Sequence, residues 1–534
     1  MFHQPLTPVG ESLLWSSCVA AIPIVVVLVA LGILKRPAWQ ASLVGLLVTL
    51  VIAVLLWHMP LGLALDSTAA GITFALWPVM WIVFNALVLY NIAVLSGRFD
   101  AFRRWVMAHL PNDRRVMLVV IGFCFGCLLE GVSGFGTPVA ITSALLIVLG
   151  FAPVDAVVFT VIFNTAPVAF GALGAPVTTL SAVTNLPAGD LGAMIGRQLP
   201  FFALLLPFYV IAMQGGWRSL RALWPVLLVA GGSFALGQFI TSNFIGYELT
   251  DVISSLFSLL ITVAFLKVWR SPADPAYAVA GGARAPIDGQ QVPAWQGWLP
   301  WAIVSATVIL WTTFKVNLIS QVKVAWPGLD NSVFITLYDK PYAAVWTFQP
   351  LATGTAILVA GIITAAAVRV GFSGYWRAVR TTWIQIRWAI LTVALIVGMA
   401  YLMNYSGLTY TLGLATASAG LLFPVLSAFL GWLAVFLSGS DTSGNALFGN
   451  LQVVAAHQLG LNPVLIAATN SSGGVMGKMI SPQNIATGCA TAGLAGREGE
   501  ILSRTFIHSV VLTLLLGLLV VLQQYVLAWM IPHQ

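Results

Sequence analysis

The sequence predicts an all-α polytopic membrane protein, with about 12 transmembrane helices and two re-entrant hairpins in two inverted repeats. Three observations carry this. The 534 residues are 59% hydrophobic and only 7% charged, against about 25% charged in a soluble domain, and mean hydropathy is +0.96. Apolar runs of spanning length recur along the whole chain. Two Gly-rich strings, each bearing serine and an acid, interrupt apolar sequence: Glu130–Thr137 (E-G-V-S-G-F-G-T) and Gly439–Asn445 (G-S-D-T-S-G-N). Polar breaks in corresponding places of two halves are the pattern of a transporter's binding site. The formal net charge of +7 does not point to nucleic acid, because the 23 Lys and Arg cluster between apolar runs, as the positive-inside rule expects.

In chain order, apolar runs lie near 12–34, 38–58, 67–96, 153–175, 193–214, 222–242, 249–267, 299–317, 348–369, 388–406, 463–483 and 505–530. Each is about the length a helix needs to span the hydrocarbon. No basic n-region precedes Ser12–Leu34, so it reads as an uncleaved first helix. Runs 115–150 and 425–459 are interrupted at the two strings. Direction follows from the cations: Lys35 and Arg36; Arg98, Arg103, Arg104, Arg114 and Arg115; Arg218 and Arg221; Lys267, Arg270 and Arg284; Arg369, Arg377, Arg380 and Arg387; Arg497 and Arg504. With these in the cytoplasm, both termini lie in the periplasm of a bacterial inner membrane. The spans then alternate only if 115–150 and 425–459 make no net crossing, which makes each a re-entrant hairpin.

Three regions follow. Repeat 1 is 1–214 with hairpin 115–150, a connecting helix pair and linker fill 215–298, and repeat 2 is 299–534 with hairpin 425–459. Residues 268–298 are rich in Pro, Gly and Ala and read as a flexible cytoplasmic linker. Residues 318–346 read as an outer loop, and Arg98–Leu110 as a basic interfacial helix. An offset of 310 matches Ser133 to Ser443, Gly134 to Gly444, Gly150 to Gly460 and Pro153 to Pro463. An offset of 306 matches Asn164 to Asn470, Gly171 to Gly477 and Pro176 to Pro482. Charge topology makes the repeats inverted, so the hairpin tips are expected to meet near the midplane. Arg115 to Glu130 is 15 residues, roughly 22 Å of helix, deep enough to reach the middle of the core.

A carboxylate in a membrane is costly and a functional candidate by default. Glu130 therefore stands as a candidate for proton or substrate coupling, against capping its own hairpin or pairing with an arginine. Asp441, among Ser440, Thr442, Ser443 and Asn445, is the second such acid; these are also preferred helix-capping residues. A helix starting there would aim its N–H groups and positive end at the same point, so an anion needs no dedicated arginine. Asn164-Thr165-Ala166-Pro167 and Asn470-Ser471-Ser472-Gly473-Gly474 are expected to interrupt their spans. Lys478 is read either as a point charge for a substrate carboxylate or as a snorkelling interface residue. Arg197 reads as an interface anchor or a counter-ion, and His508 as a packed or interfacial residue before a proton relay. His457 ends the second hairpin and Asp155 starts a helix. Cys18, Cys124, Cys127 and Cys489 read as thiols packed as small apolar groups.

Gly131-Val132-Ser133-Gly134 matches the G-x-S-G pattern of intramembrane serine proteases, with His508 as a conceivable base. Its recurrence at Ser443 and a span count about double that fold's weigh against it. Zinc-protease, Walker A and prenyl-diphosphate motifs are missing from the sequence, so no cofactor and no metal is expected.

At these residues the chain resembles the bacterial L-lactate permease family. The matching stretches are Leu129–Ile141, Asn164–Pro176, Gly231–Leu249, Asn404–Leu408, Phe429–Phe448 and Gly473–Ala486. Two positions depart from the family's pattern: Gly444 stands where a second Ser is expected, and Thr137 where Ala is common. The linker and outer loop also look short. The resemblance implies import of L-lactate, with D-lactate and glycolate, by proton symport across the inner membrane. The expected substrate-binding set is Ser133, Gly134, Thr137, Asn164, Thr165, Ser440, Thr442, Ser443, Asn445, Asn470, Ser471 and Lys478. Proton coupling is expected at Glu130 or Asp441. The alternatives are a sodium-coupled carrier of another small carboxylate and, further off, a channel.

Overall fold

With no water to bond inside lipid, an apolar run must satisfy its own backbone, and these runs wind into helices. The computed structural model describes residues 1–34, 36–134, 137–272, 274–278, 292–494 and 497–532. Lys35, Arg284 and part of the linker expected at 268–298 (273 and 279–291) lie outside the described residues, as do Phe135 and Gly136 of the first string.

The chain opens with α1 (Leu13–Gly32), capped by Ser12, and α2 (Ala38–Leu55). A run expected as one span is α3 (Leu61–Phe74) and α4 (Trp81–Leu95), joined through a bend at Trp77–Pro78. The expected interfacial helix is α5 (Arg98–Ala108). The first interrupted run begins with α6 (Arg114–Met117), π-helical turns over Leu118–Phe125 and α7 (Gly126–Ser133). Its second arm, α8 (Thr137–Val148), folds back onto α7. α9 (Pro153–Phe163) and α10 (Gly171–Thr184) follow, bent by 63°.

Next come α11 (Ala188–Ile240), which takes in the expected run 193–214 and nearly all of 222–242 on either side of Gly216 (φ 62°), and α12 (Thr250–Val268), which matches the run 249–267. Then come α13 (Leu299–Thr313), α14 (Thr353–Ala367) and α15 (Phe372–Ser406). Sequence reading passes over α16 (Leu408–Ala417). The second interrupted run is α17 (Phe423–Ser438) and α18 (Asp441–Leu459), packed on each other around Gly439–Ser440. α19 (Pro463–Lys478), α20 (Pro482–Thr491) and α21 (Glu498–Tyr525) complete the chain. The same order, hairpin and then a broken helix pair, thus occurs twice.

Eight of the described helices are long and apolar enough to cross a membrane, or up to ten if two bent pairs each count as one span. Arg114–Val132 is among the eight yet is covered entirely by protein. The chain is an all-α polytopic membrane protein. The segment 318–346, expected as an outer loop, carries short strands at and next to it: β2 (Val322–Ala325) pairs antiparallel with β5 (Val345–Phe348). There, β3 (Val333–Ile335) takes β4 (Lys340–Pro341) antiparallel and the N-terminal β1 (Phe2–His3) parallel. Beyond that strand, Gln4 Nε2 donates to the Asn404 and Tyr405 carbonyls at 2.8 and 3.0 Å.

One expectation is corrected. Asn470–Gly474 does not interrupt its span: α19 runs unbroken to Lys478, and the break falls at Met479–Ser481. The reason is packing. A Cβ on Gly473 would run into the Ala428 carbonyl, one on Gly431 into the Asn470 carbonyl, and one on Gly477 into the Trp432 carbonyl. These glycines let α17 and α19 touch backbone to backbone, the usual role of small residues between membrane helices.

Candidate functional site

Four pieces of backbone converge on one buried point. Hairpin one contributes the end of α7, which stops at Gly134 in a conformation (φ 55°, ψ −154°) that suits glycine. The bend between α9 and α10 contributes Val168–Pro176, where Ala172, Leu173 and Gly174 all have positive φ. Such backbone is tolerated at depth only when protein satisfies it, and Gln238 Nε2 donates to the Ala166 carbonyl at 3.0 Å there. Hairpin two contributes Gly439 (φ 70°) and the N-terminus of α18, whose cap Ser440 Oγ accepts from the Ser443 N–H at 3.4 Å. The C-terminus of α19 contributes Lys478. A cavity of about 30 Å³ lies among them, lined by Glu130, Gly134, Gly171, Ser440, Asp441, Thr442 and Lys478.

The central contact is an ion pair. Lys478 Nζ meets Glu130 Oε1 at 2.6 Å, with both side chains almost fully buried. Lys478 is therefore neither at an interface nor unpaired. Gly171 makes room for the carboxylate, since a Cβ there would lie 2.9 Å from Glu130 Oε1. Glu130 Oε2 has no hydrogen-bond partner among the described residues.

Behind the cavity runs a polar chain. Gln452 and Ser427 hydrogen-bond each other. Gln452 Nε2 donates to Asn470 Oδ1 at 2.6 Å, and Asn470 Nδ2 donates to Asn445 Oδ1 at 2.9 Å. Asn445 Nδ2 reaches the Pro176 carbonyl at 3.2 Å and Asp441 Oδ2 at 3.4 Å. Ser471 Oγ donates to the same Asp441 oxygen at 2.5 Å, while Asp441 Oδ1 is unpartnered among the described residues. The chain ties α17, α18, α19 and α10 together, and the unfilled Asp441 oxygen lies against Gly474, where a Cβ would run into it.

The expected residues therefore divide. Glu130, Gly134, Ser440, Asp441, Thr442 and Lys478 line the cavity. Asn445, Asn470 and Ser471 form the supporting network, and Ser443 is buried beside its cap. Thr165 Oγ1 donates to its own helix at Ile162 O, 2.7 Å. Asn164 is buried at the C-cap of α9, its amide nitrogen without a partner among the described residues. The side chains of Ser133 and Thr137 lie outside the described residues. Arg197 bonds Asn243 and the Met530 carbonyl rather than a buried acid. His508 hydrogen-bonds Tyr209, Asp155 pairs with Arg504, and the four cysteines are unbridged.

Sequence reasoning misses Gln452, Ser427 and Asp251. Asp251 is 1% exposed in the first turn of α12, with both carboxylate oxygens unpartnered among the described residues. The signal was available: an acid opening an apolar run at 249–267. A larger cavity of about 410 Å³ beneath the segment 318–346 has Asn185, Tyr342, Gln349 and Tyr405 in its wall. None of its described lining residues is charged, so the small cavity with its lysine is the better anion site.

The sequence profile of the L-lactate permease family matches residues 16–527. The glycolate permease GlcA of Escherichia coli (strain K12) is 42% identical over 559 residues, covering 99% of this chain and 98% of that protein. The L-lactate permease of the same strain is 41% identical over 555 residues and 100% of both chains. The L-lactate permease of Bacillus subtilis (strain 168) is 40% identical over 560 residues, 99% of each.

Proposed function

The chain belongs to the L-lactate permease family, a family of transporters and not enzymes, and from that premise we propose that it imports L-lactate, with D-lactate and glycolate, by proton symport across the bacterial inner membrane. The single observation that carries this reading is the buried Lys478–Glu130 pair at a cavity between two hairpin ends. Lys478 is the cation a monocarboxylate needs. The N-terminus of α18 adds orphan N–H groups and the positive end of a helix dipole. A substrate carboxylate that takes Lys478 leaves Glu130 without its counter-charge, and Glu130 then holds the coupled proton, with Asp441 the alternative carrier. Substrate anion and proton cross together with no net charge, so uptake does not oppose the membrane potential, worth about 2.3 kcal/mol per charge per 100 mV.

A cavity of about 30 Å³ has space for one or two waters and not for a three-carbon acid. Substrate access therefore requires the hairpins to part, and alternating access follows if they part first on one side and then on the other. The hydroxyls and amides of Ser133, Thr137, Asn164, Ser443, Asn445 and Asn470 would complete the binding site. We further propose about 12 spans, inverted repeats, re-entrant hairpins and periplasmic termini. The deciding measurement is uptake of labelled L-lactate into proteoliposomes under separately imposed pH and Na⁺ gradients. An inside-alkaline gradient is expected to drive accumulation. Accumulation that follows Na⁺ and ignores pH would sink the proton assignment.

A further inference from the structure

We propose that Asp251 is a third carboxyl of the coupling site, the group through which the proton reaches Glu130. The inference rests on the symport reading above. Asp251 is pressed against the helical turn that carries Glu130: a Cβ on the adjoining residue, Gly131, would lie 2.6 Å from Asp251 Cβ. It is 1% exposed, and neither of its oxygens has a donor among the described residues. The titratable groups that face it are Glu130 and Cys127 from α7 and Lys478 from α19, all close enough to interact electrostatically. Cys124, one turn earlier in the π-helical stretch that precedes α7, is occupied with Ser258 at 3.3 Å.

Charge counting assigns the role. The cluster holds one cation and three carboxyls. Lys478 is spent on Glu130 at 2.6 Å, and Asp441 accepts hydrogen bonds from Ser471 and Asn445. A further buried carboxylate with no donor and no counter-ion would carry a large desolvation cost. Asp251, which has neither among the described residues, therefore holds a proton while Glu130 is paired. When a substrate carboxylate displaces Glu130 from Lys478, the excess negative charge moves to Glu130. The O–H bond of Asp251 then breaks, an O–H bond forms at Glu130 Oε2, which has no other partner among the described residues, and Asp251 regains a proton from water on the open side. On release inward, Glu130 gives its proton to water and re-pairs with Lys478. One proton and one substrate anion have crossed, and every group is back in its first state.

A first-turn acid can also serve its own helix, because the α12 N-terminus favours negative charge. The two roles separate in Asp251→Asn, which mimics protonated Asp251 but cannot release the proton. The full-length variant is reconstituted beside wild type. Counterflow of labelled L-lactate without a pH gradient is measured first, then accumulation under an inside-alkaline gradient. Expected is counterflow that persists, because exchange needs no net proton release, and accumulation lowered by about tenfold or more, with Asp251→Glu restoring part of it. Wild-type accumulation by Asp251→Asn would remove Asp251 from coupling while leaving the transport reading intact. So would joint loss of counterflow and accumulation in a variant that keeps the wild-type melting temperature. If that variant is unstable, Asp251→Glu decides: failure to accumulate despite wild-type counterflow and stability overturns the relay. Wild-type protein without L-lactate counterflow overturns both readings.

Discussion

The Lys478–Glu130 pair can be dissected by a double-mutant cycle. At 2.6 Å, two unit charges attract by about 6 kcal/mol at an effective dielectric of about 20. Withdrawing two ions from water costs several kcal/mol each, so the intact pair is expected to contribute little net stability. Breaking it is different. Lys478→Met alone leaves Glu130 buried and ionised, or forces it to take a proton, and should cost about 3–5 kcal/mol. Glu130→Gln alone strands the ammonium and should cost a similar amount. The double variant Glu130→Gln/Lys478→Met carries no charge at the site and should recover to within about 1–2 kcal/mol of wild type or exceed it. Unfolding of purified protein in a mild detergent, followed by tryptophan fluorescence, reads all four corners of the cycle. Both single variants and the double should lose L-lactate uptake, because the lysine and the acid are both used in transport. A double variant as unstable as the sum of the singles would refute the pairing, since independent residues add.

Four further outcomes follow from the geometry. Gly171→Ala places a Cβ 2.9 Å from Glu130 Oε1, so it should disturb the carboxylate, raising the KM of uptake with little change in stability. Gly473→Ala meets the Ala428 carbonyl, which is backbone and cannot yield cheaply, and should destabilise by about 1–3 kcal/mol in the same unfolding assay. Asn470→Ala leaves Gln452 Nε2 and Asn445 Oδ1 short of a partner and should cost about 1–3 kcal/mol. By contrast, Arg504→Ala removes an ion pair with Asp155 whose side chains are 49% and 43% exposed, and should change stability by less than about 1 kcal/mol.

Much of this protein is legible in its sequence because lipid imposes a simple rule. A backbone with no water to bond must be helical, so apolar runs give helices, and Gly–Ser–acid strings show where they stop. The tips at Gly134 and Gly439–Ser440, the bend after Asn164 and the capped start of α1 all follow from local chemistry of this kind. Local chemistry misleads at Asn470–Gly474. There Gly-Gly reads as a break, yet Gly473 serves a close approach to Ala428 of α17, 45 residues away in the chain.

By itself, the sequence determined the membrane class, the hairpin units and the buried acids Glu130 and Asp441. Only the tertiary structure decided what those acids face. Lys478 is 348 residues from Glu130, and Asp251 sits in the first turn of α12, outside both strings. Repeat arithmetic cannot bring them to one turn of α7, because ion pairing and proton sharing depend on distance through space. The two strings that first stand out are thus one half of the site; the lysine and the third carboxyl that complete its charge balance arrive by packing.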